Sequence, residues 1–384
     1  MYELDTSKER VLLIGLAKNN RERWEKIDSL EELEALTQTA GGEVVEKIMQ
    51  IKEKPHPATF LGRGKIEELK RLSKEYDIDL FIFDDALTPI QIRNIEKATG
   101  VRTIDRTALI LDIFARHAHT AQAKIQVELA QLEYRLSMLT GLGGTLSRLG
   151  GGIGTRGPGE KKLEEDRRLI KKRISTLKKR LKRIEKERET QRRHRRGFIK
   201  ISLVGYTNAG KSTLMNRLTK AKVKVAPYLF ATLDSNTKSL YLGNGIKVLL
   251  TDTIGFIRNL PPQLVASFKA TLAEILNAHL VLHIADISSP EVEKRIEITR
   301  RVLSEIGCKG KSIRLVFNKI DRIFEEEVLE RLKRKYPDAL FISALTGEGI
   351  EILKEEISLF IKDLLSERPF NSAQLSRELH PLSY

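Results

Sequence analysis

A single cysteine, Cys308, stands among 384 residues, and that scarcity removes two architectures: an internal disulfide and a cysteine-based zinc cluster. Placed between an amphipathic stretch and an apolar run, Cys308 reads as a small buried apolar residue. Long hydrophobic runs are missing too. No stretch approaches the roughly 18 to 20 apolar residues that cross a bilayer, and the opening MYELDTSKER has neither the basic start nor the apolar core of an export signal. These absences predict a cytoplasmic protein without a membrane span. Acidic charge is the minority sign: 52 Asp and Glu face 68 Lys and Arg, a formal net charge of +16. At 41% hydrophobic and 31% charged, the chain has the composition of a globular protein with two or three domains.

The excess positive charge is concentrated. Between Glu160 and Arg196 there are 18 Lys and Arg against 7 Asp and Glu, which points to a polyanionic partner for that segment. Apolar residues there step by four and three, at Ile170, Ile174, Leu177, Leu181 and Ile184, and the same steps occur at Ile125, Leu129, Leu132, Leu136 and Leu139. Two such seams predict an antiparallel helical hairpin. Its joint, Gly141 to Gly159, holds nine glycines and one proline in nineteen residues, with Arg148 and Arg156 as its charges. A plain turn needs only a few residues. Backbone amides and arginines of this joint, continued by Arg167 and Arg168 on the basic helix, suit a phosphate-rich surface; a solvated linker is the plainer alternative. RNA is favoured over DNA because no groove-reading motif is present.

Ahead of the hairpin, short apolar runs alternate with amphipathic stretches: Val11–Ala17, Asp28–Thr39, Val44–Ile51, Lys65–Tyr76, Leu80–Phe83, Pro89–Thr99 and Val101–Ile104. That alternation predicts a small α/β domain with a largely parallel sheet. Asp28 and Ser29 can cap one helix, Thr88-Pro89 opens another and Gly100 closes it. The turn Leu61 to Lys65 reads as an ordinary helix start, with anion binding as the alternative. Asp84-Asp85 ends a strand where α/β sheets often place ligand groups. A solvated carboxylate pair is the favoured reading there.

After the basic helix, an apolar run from Ile199 to Val204 stops at Gly205-Tyr206-Thr207-Asn208-Ala209-Gly210-Lys211-Ser212 and a helix follows. The pattern is a phosphate-binding P-loop. Gly205 and Gly210 allow the backbone to approach an anion, and the helix start adds free amides and a favourable dipole. Lys211 would reach β- and γ-phosphates, and the Ser212 hydroxyl, with Thr213 beside it, lies where a magnesium ligand is needed. Phe230-Ala231-Thr232-Leu233-Asp234 sits where a first switch belongs, with Thr232 able to hold magnesium and read the γ-phosphate. In Asp252-Thr253-Ile254-Gly255 the Asp holds magnesium through water and the Gly amide senses the γ-phosphate. In Asn318-Lys319-Ile320-Asp321 the Asp carboxylate can accept from guanine N1–H and the 2-amino group, a pattern adenine lacks. The Ala344 amide of Ser343-Ala344-Leu345 would meet the guanine oxygen. Five boxes in order, each closing a predicted strand, imply GTP.

The chain resembles the HflX family of translation-factor-related GTPases. The resemblance runs through LGRGK at Leu61–Lys65, KIQVELAQLEYRL at Lys124–Leu136, LSRLGGGIGTRGPGEKKLEEDRR at Leu146–Arg168, and the GTPase boxes. It implies a GTPase that uses Mg²⁺, binds the large ribosomal subunit and its rRNA, and in some members splits stalled ribosomes. The catalytic and sensing positions it implies are Lys211, Thr232 and Gly255. Asn208 matches the position used for a K⁺ ion in some translation-related GTPases; holding the loop by its amide is the alternative. Two departures stand out: Gly159-Glu160-Lys161 replaces a less basic wording of many relatives, and only about twenty residues follow the last helix near Leu365, where bacterial members often extend further. Phe256 occupies the place of the water-orienting glutamine of Ras-like GTPases, so slow intrinsic hydrolysis is expected.

The predicted fold class is α/β. It comprises a small N-terminal α/β domain with a parallel sheet (1–118), a coiled-coil-like antiparallel hairpin (119–196) with its glycine-rich loop at 141–159, a P-loop GTPase domain (197–365) and a C-terminal tail (366–384). A monomer is expected. The rival reading is an NTP-driven RNA remodelling enzyme with a second nucleotide site near Gly62 to Lys65, and a plain RNA-binding scaffold is third.

Overall fold

The computed structural model describes residues 8–146, 158–193, 198–221, 229–230, 235–243, 246–258, 274–308, 310–323 and 325–367. In the first part of the chain the apolar runs become β1 (Arg10–Ala17), β2 (Glu43–Ile51), β3 (Leu80–Phe83) and β4 (Arg102–Asp105), all parallel in the order β2-β1-β3-β4. Helices α1 (Arg23–Thr39), α2 (Arg63–Glu75), α3 (Pro89–Thr99) and α4 (Arg106–His117) connect and cover them. Leu12, Ile14, Phe81 and Phe83 are fully buried in the core against Leu69 and Ile95. Thr88 caps α3 in a reciprocal capping box with Gln91, and Gly100 closes it in the left-handed region at φ 80°. Helix α4 was not expected from periodicity; its signal is Asp105, whose carboxylate accepts from the Ala108 amide at 2.9 Å.

Two expectations fail here. Helix α1 begins earlier, at Arg23, so Asp28 and Ser29 lie inside it rather than capping it. The Ser29 hydroxyl donates instead to Asp84 Oδ1 at 2.9 Å, a buried partner that outweighs a cap. Asp84-Asp85 is not a solvated pair. Lys26 Nζ donates to Asp84 Oδ2 and to Asp85 Oδ1, both at 2.8 Å, and Arg106 Nη1 donates to Asp84 Oδ1 at 2.6 Å. Arg106 also pairs with Glu32. Burial alone would lift the Asp84 pKa, yet Arg106 and Lys26 together hold it below its ordinary value. The Leu61 to Lys65 turn is a helix start: the Gly62 amide donates to Gln50 Oε1 at 3.0 Å, and Lys65 is held by Glu68 at 2.8 Å.

Helices α5 (Ala121–Leu146) and α6 (Pro158–Arg193) form the hairpin, with Leu129, Ile174 and Leu177 at the centre of their seam and Ile125, Leu132, Leu136, Ile170 and Leu181 around it. Arg173 and Lys178 of α6 pair with Glu128 and Glu133 of α5 at 2.7 and 2.8 Å. The joint is shorter than 141–159. Helix α5 continues through Gly141, Gly143 and Gly144, because each residue added to a packed helix gains a backbone bond, and Pro158 opens α6 in the position where its missing N–H is harmless. Arg148 and Arg156 lie outside the described residues.

The chain divides into two compact units within α6, between Arg183 and Ile184. In the second unit six strands run in the order β10-β9-β8-β5-β7-β6: β5 (Ile199–Gly205), β6 (Asn236–Tyr241), β7 (Lys247–Asp252), β8 (Leu280–Asp286), β9 (Ser312–Asn318) and β10 (Leu340–Phe341). All pairings are parallel except the edge strand β6, which runs antiparallel to β7. On one face, α7 (Lys211–Thr219) and α10 (Ile350–Glu367) bury Leu214, Met215, Leu353 and Ile357 against Leu203, Leu250 and Ile284. On the other, α8 (Val292–Glu305) and α9 (Glu326–Lys335) bury Val292, Ile296 and Leu332 against Ala285 and Phe317. Cys308, between α8 and β9, is buried. Among the described residues no helix is long and apolar enough to cross a membrane.

Candidate nucleotide-binding site

Parallel strands place their C-terminal ends at one edge of a sheet, and the boxes read from the sequence follow those ends. Gly205 closes β5, Asp252 closes β7, Asn318 closes β9, and Ser343 follows β10. The loop from Gly205 to Gly210 requires its glycines. A Cβ at Gly205 would stand 2.1 Å from the Ile284 carbonyl oxygen, and one at Gly210, whose φ is 88°, would stand 2.2 Å from Asn318 Nδ2. Gly255 is equally constrained, 2.8 Å from the Thr207 Cα by the same measure. Its neighbour Phe256 is bridged to the loop by two backbone bonds, Phe256 N–H to Gly205 O at 3.0 Å and Thr207 N–H to Phe256 O at 2.8 Å. The DTIG segment therefore lies directly against the phosphate loop.

Inside this cradle Lys211 is buried and donates to the carbonyls of Gly205 and Tyr206 at 3.2 and 2.8 Å. Burial brings its pKa down to about 8, opposed by the Asp252 charge and assisted by that of Lys319. The Ser212 hydroxyl donates to Asp252 Oδ2 at 2.6 Å. A hydroxyl and a carboxylate brought together beside a glycine loop are the hard oxygen donors that suit Mg²⁺, so the residues fit that ion. Asn208 is exposed with φ 60°. Thr253, Ile254 and the loop's own Ala209 are buried, with the Thr253 hydroxyl donating to Leu203 O at 2.7 Å.

Asn318 joins the two halves of the site. Its Nδ2 donates to Ala209 O at 2.8 Å and its Oδ1 accepts from the Ala344 amide at 2.9 Å. The Ala344 amide, expected to face a guanine oxygen, is thus held by Asn318 in this structure. Lys319 has φ 69° and its ammonium pairs with Asp286 at 2.6 Å; a short 3-10 turn, Ile320–Arg322, follows it. Asp321 accepts from the Ser343 hydroxyl at 2.5 Å, and Leu345 is exposed beside it. Arg217 donates to the carbonyls of Ala344 and Leu345 and pins that loop to α7. Thr213 is half-buried on α7 and Phe230 is buried; Ala231, Thr232, Leu233 and Asp234 lie outside the described residues.

A cluster that the sequence did not reveal lies at Tyr206. Its phenol oxygen accepts from the Arg258 amide at 2.7 Å, Arg295 of α8 lies over its ring at 4.9 Å, and Arg258 pairs with Glu291 at 2.7 Å. On the hairpin, Arg168 is exposed, whereas Arg167 Nη2 donates to Leu139 O at 3.3 Å.

A phosphate cradle on a parallel sheet, faced by a DTIG segment and an NKID loop, defines a P-loop GTPase. Three family models match successive stretches: one described as the N-terminal region of GTP-binding GTPases over 27–115, one as their middle region over 117–195, and one as a 50S ribosome-binding GTPase over 200–319. GTPase HflX of Lacrimispora saccharolytica is 47% identical over 355 residues, covering 92% of this chain and 83% of its own. That of Escherichia coli is 44% identical over 338 residues, covering 86% and 79%. The solved complex of SsGBP with GDP is 26% identical and covers 92% of this chain and 99% of that one, with a TM-score of 0.49. The chain belongs to the HflX GTPase family; it binds GTP and hydrolyses it to GDP and phosphate.

Proposed function

We propose that GTP at this site sets the affinity of the chain for the large ribosomal subunit, gripped through rRNA phosphates. The observation that carries the reading is α6, 36 residues long, with one narrow apolar seam against α5 and, among its described exposed side chains, Lys and Arg outnumbering Asp and Glu. Contacts from such a surface are indifferent to sequence and sensitive to salt. The family-model description and the basic hairpin support the same partner. Splitting of subunits, or prevention of their association under stress, follows if the grip excludes the other subunit.

In this reading the amides of Gly205 to Thr213 hold the phosphates, and Lys211 exchanges its two carbonyl partners for phosphate oxygens. Ser212, Thr232 and, through water, Asp252 would hold Mg²⁺, which when bound neutralises charge building on the phosphates. Thr232 and the Gly255 amide read the γ-phosphate, so its loss releases the segments 222–237 and 252–270. Asp321 selects guanine, with Ser343 to Leu345 closing over the base. Phe256 can neither donate nor accept through its side chain, and it is buried. Intrinsic turnover is slow, because a positioned group worth about 10³- to 10⁵-fold in such enzymes is missing until the partner supplies it. Turnover compared in K⁺ and Na⁺ tests whether Asn208 serves a cation; equal rates remove that role.

Co-sedimentation with purified subunits tests the surface. Charge reversal at Arg148, Arg156, Arg167 and Arg168 abolishes subunit binding and spares GTP binding. Since Arg167 also bonds Leu139, Arg168→Glu alone separates charge from hairpin packing. Undiminished binding by the fourfold variant would contradict the placement.

A further inference from the structure

The second unit has a groove of about 520 Å³ that the GTP site does not use. It is lined by Arg300 and Leu303 of α8, by Cys308, Gly310, Lys311 and the start of β9, and by Tyr336 to Ala339 ahead of β10. Those segments lead into the N-terminal ends of β9 and β10, whereas the phosphate and guanine loops leave the C-terminal ends. The groove and the GTP site therefore belong to opposite edges of one sheet.

Two observations mark it as a ligand site. The first is His283, which contributes to its lining from β8. It is 1% exposed, and its Nδ1 has no hydrogen-bond partner among the described residues. A buried polar nitrogen left so is costly, and a ligand can relieve that cost. Burial, with the charges of Arg300 and Lys211 adding, holds the His283 pKa down to about 3, so the ring is neutral and offers one donor and one acceptor. The second is the charge around the opening: Arg300, Lys311, Arg314 and Lys335 against Asp338. Lys335 is paired with Glu293 and Lys311 donates to Ala278 O; Arg314 takes the other face of β9, since its neighbour Leu315 is the one in register with His283, which leaves Arg300, exposed and making no ion pair among the described residues. Leu303 and Leu315 are buried in the walls and Tyr336 is half-buried.

We infer that this groove is a second small-molecule site of the GTPase unit, taking a phosphorylated ligand with an aromatic ring. Arg300 receives the anion, and Leu303, Leu315 and Tyr336 receive the ring. Guanidinium groups match phosphate in planar, paired hydrogen bonds. A bare phosphate backbone would have no use for the apolar wall.

Calorimetric titration of the full chain, saturated with GDP and Mg²⁺ so that the GTP site is filled, tests this with phenyl phosphate as the probe. The expected result is one site, with affinity weakened at least about tenfold by R300Q, the loss of one good charged contact, and at least about tenfold for inorganic phosphate, which lacks the ring. The His283 ring signal in histidine-labelled protein shifts on binding, and GTP turnover of the variant is unchanged. No binding at millimolar probe, equal affinity of R300Q, or equal affinity for inorganic phosphate would overturn the proposal; the last would leave an anion patch that rRNA phosphates could equally fill.

Discussion

Asn318 governs the nucleotide site from behind it. With one amide it closes a bond to the phosphate loop and another to the loop that follows β10, so the two halves of the site move together. Asn318→Ala strands a buried carbonyl and a buried N–H, which predicts a loss of about 2–4 kcal/mol in the stability of the second unit, together with weaker GDP binding; thermal unfolding with and without GDP reads both, and an unchanged melting temperature would contradict the bridge. The NKID box was read as a guanine selector from chemistry that is local in sequence. The bridge was not, since it depends on where the amide of residue 318 points in space. Asp84 is the opposite case, a residue read as solvated that is buried among Lys26, Ser29 and Arg106. Burial pulls its pKa up, Arg106 and Lys26 pull it down further, and the net value lies below the ordinary 3.8. Its contribution is therefore present above that value and lost as pH falls through the folded-state pKa. Asp84→Asn leaves the buried Arg106 and the half-buried Lys26 each short of a partner and is predicted to cost about 3–5 kcal/mol at pH 7, while flattening the acid limb of the melting curve below pH 4. An acid limb identical to that of the parent chain would sink this assignment.

At the scale of elements, strands lie where short apolar runs were read and are buried almost throughout, as in β1, β3 and β8, helices lie at the amphipathic stretches, and the hairpin seam was legible from its steps of four and three. What the pattern hid was long-range: the Tyr206 hydroxyl meets the Arg258 amide 52 residues away, and Arg258 meets Glu291 33 residues further on. Those contacts fasten the segment after DTIG to the phosphate loop and to α8. Tyr206→Phe removes one acceptor worth about 1 kcal/mol, so the Arg258 amide should exchange with solvent several-fold faster; hydrogen exchange measured residue by residue decides it, and an unaltered rate would mean the phenol is not the fastening. In the hairpin, Leu177 is fully buried at the seam. Leu177→Ala is predicted to cost about 2–5 kcal/mol of hairpin packing, lowering α5 and α6 protection while leaving the intrinsic GTPase rate as it was.

The molecule as a whole joins a guanine-nucleotide unit to a hairpin whose charge is far more basic than its surroundings. The order of these parts was readable because each carries a local signature: glycine spacing for phosphate, heptad-like steps for the hairpin, strand–helix alternation for the first sheet. The groove at the opposite edge of the nucleotide sheet was not readable, because its walls come from α8, β9 and the approach to β10 and its floor from one histidine in β8. For the proposed switch, GTP and the ribosome must each change the hold of the other, since a ligand shifts an equilibrium only through its different affinity for the two states. The direct test is the dissociation constant of the chain for the large ribosomal subunit, measured with a non-hydrolysable GTP analogue and with GDP under one salt condition. The account predicts tighter binding with the analogue by at least about tenfold, within the 1–3 kcal/mol typical of such coupling; equal constants in the two nucleotide states would contradict it.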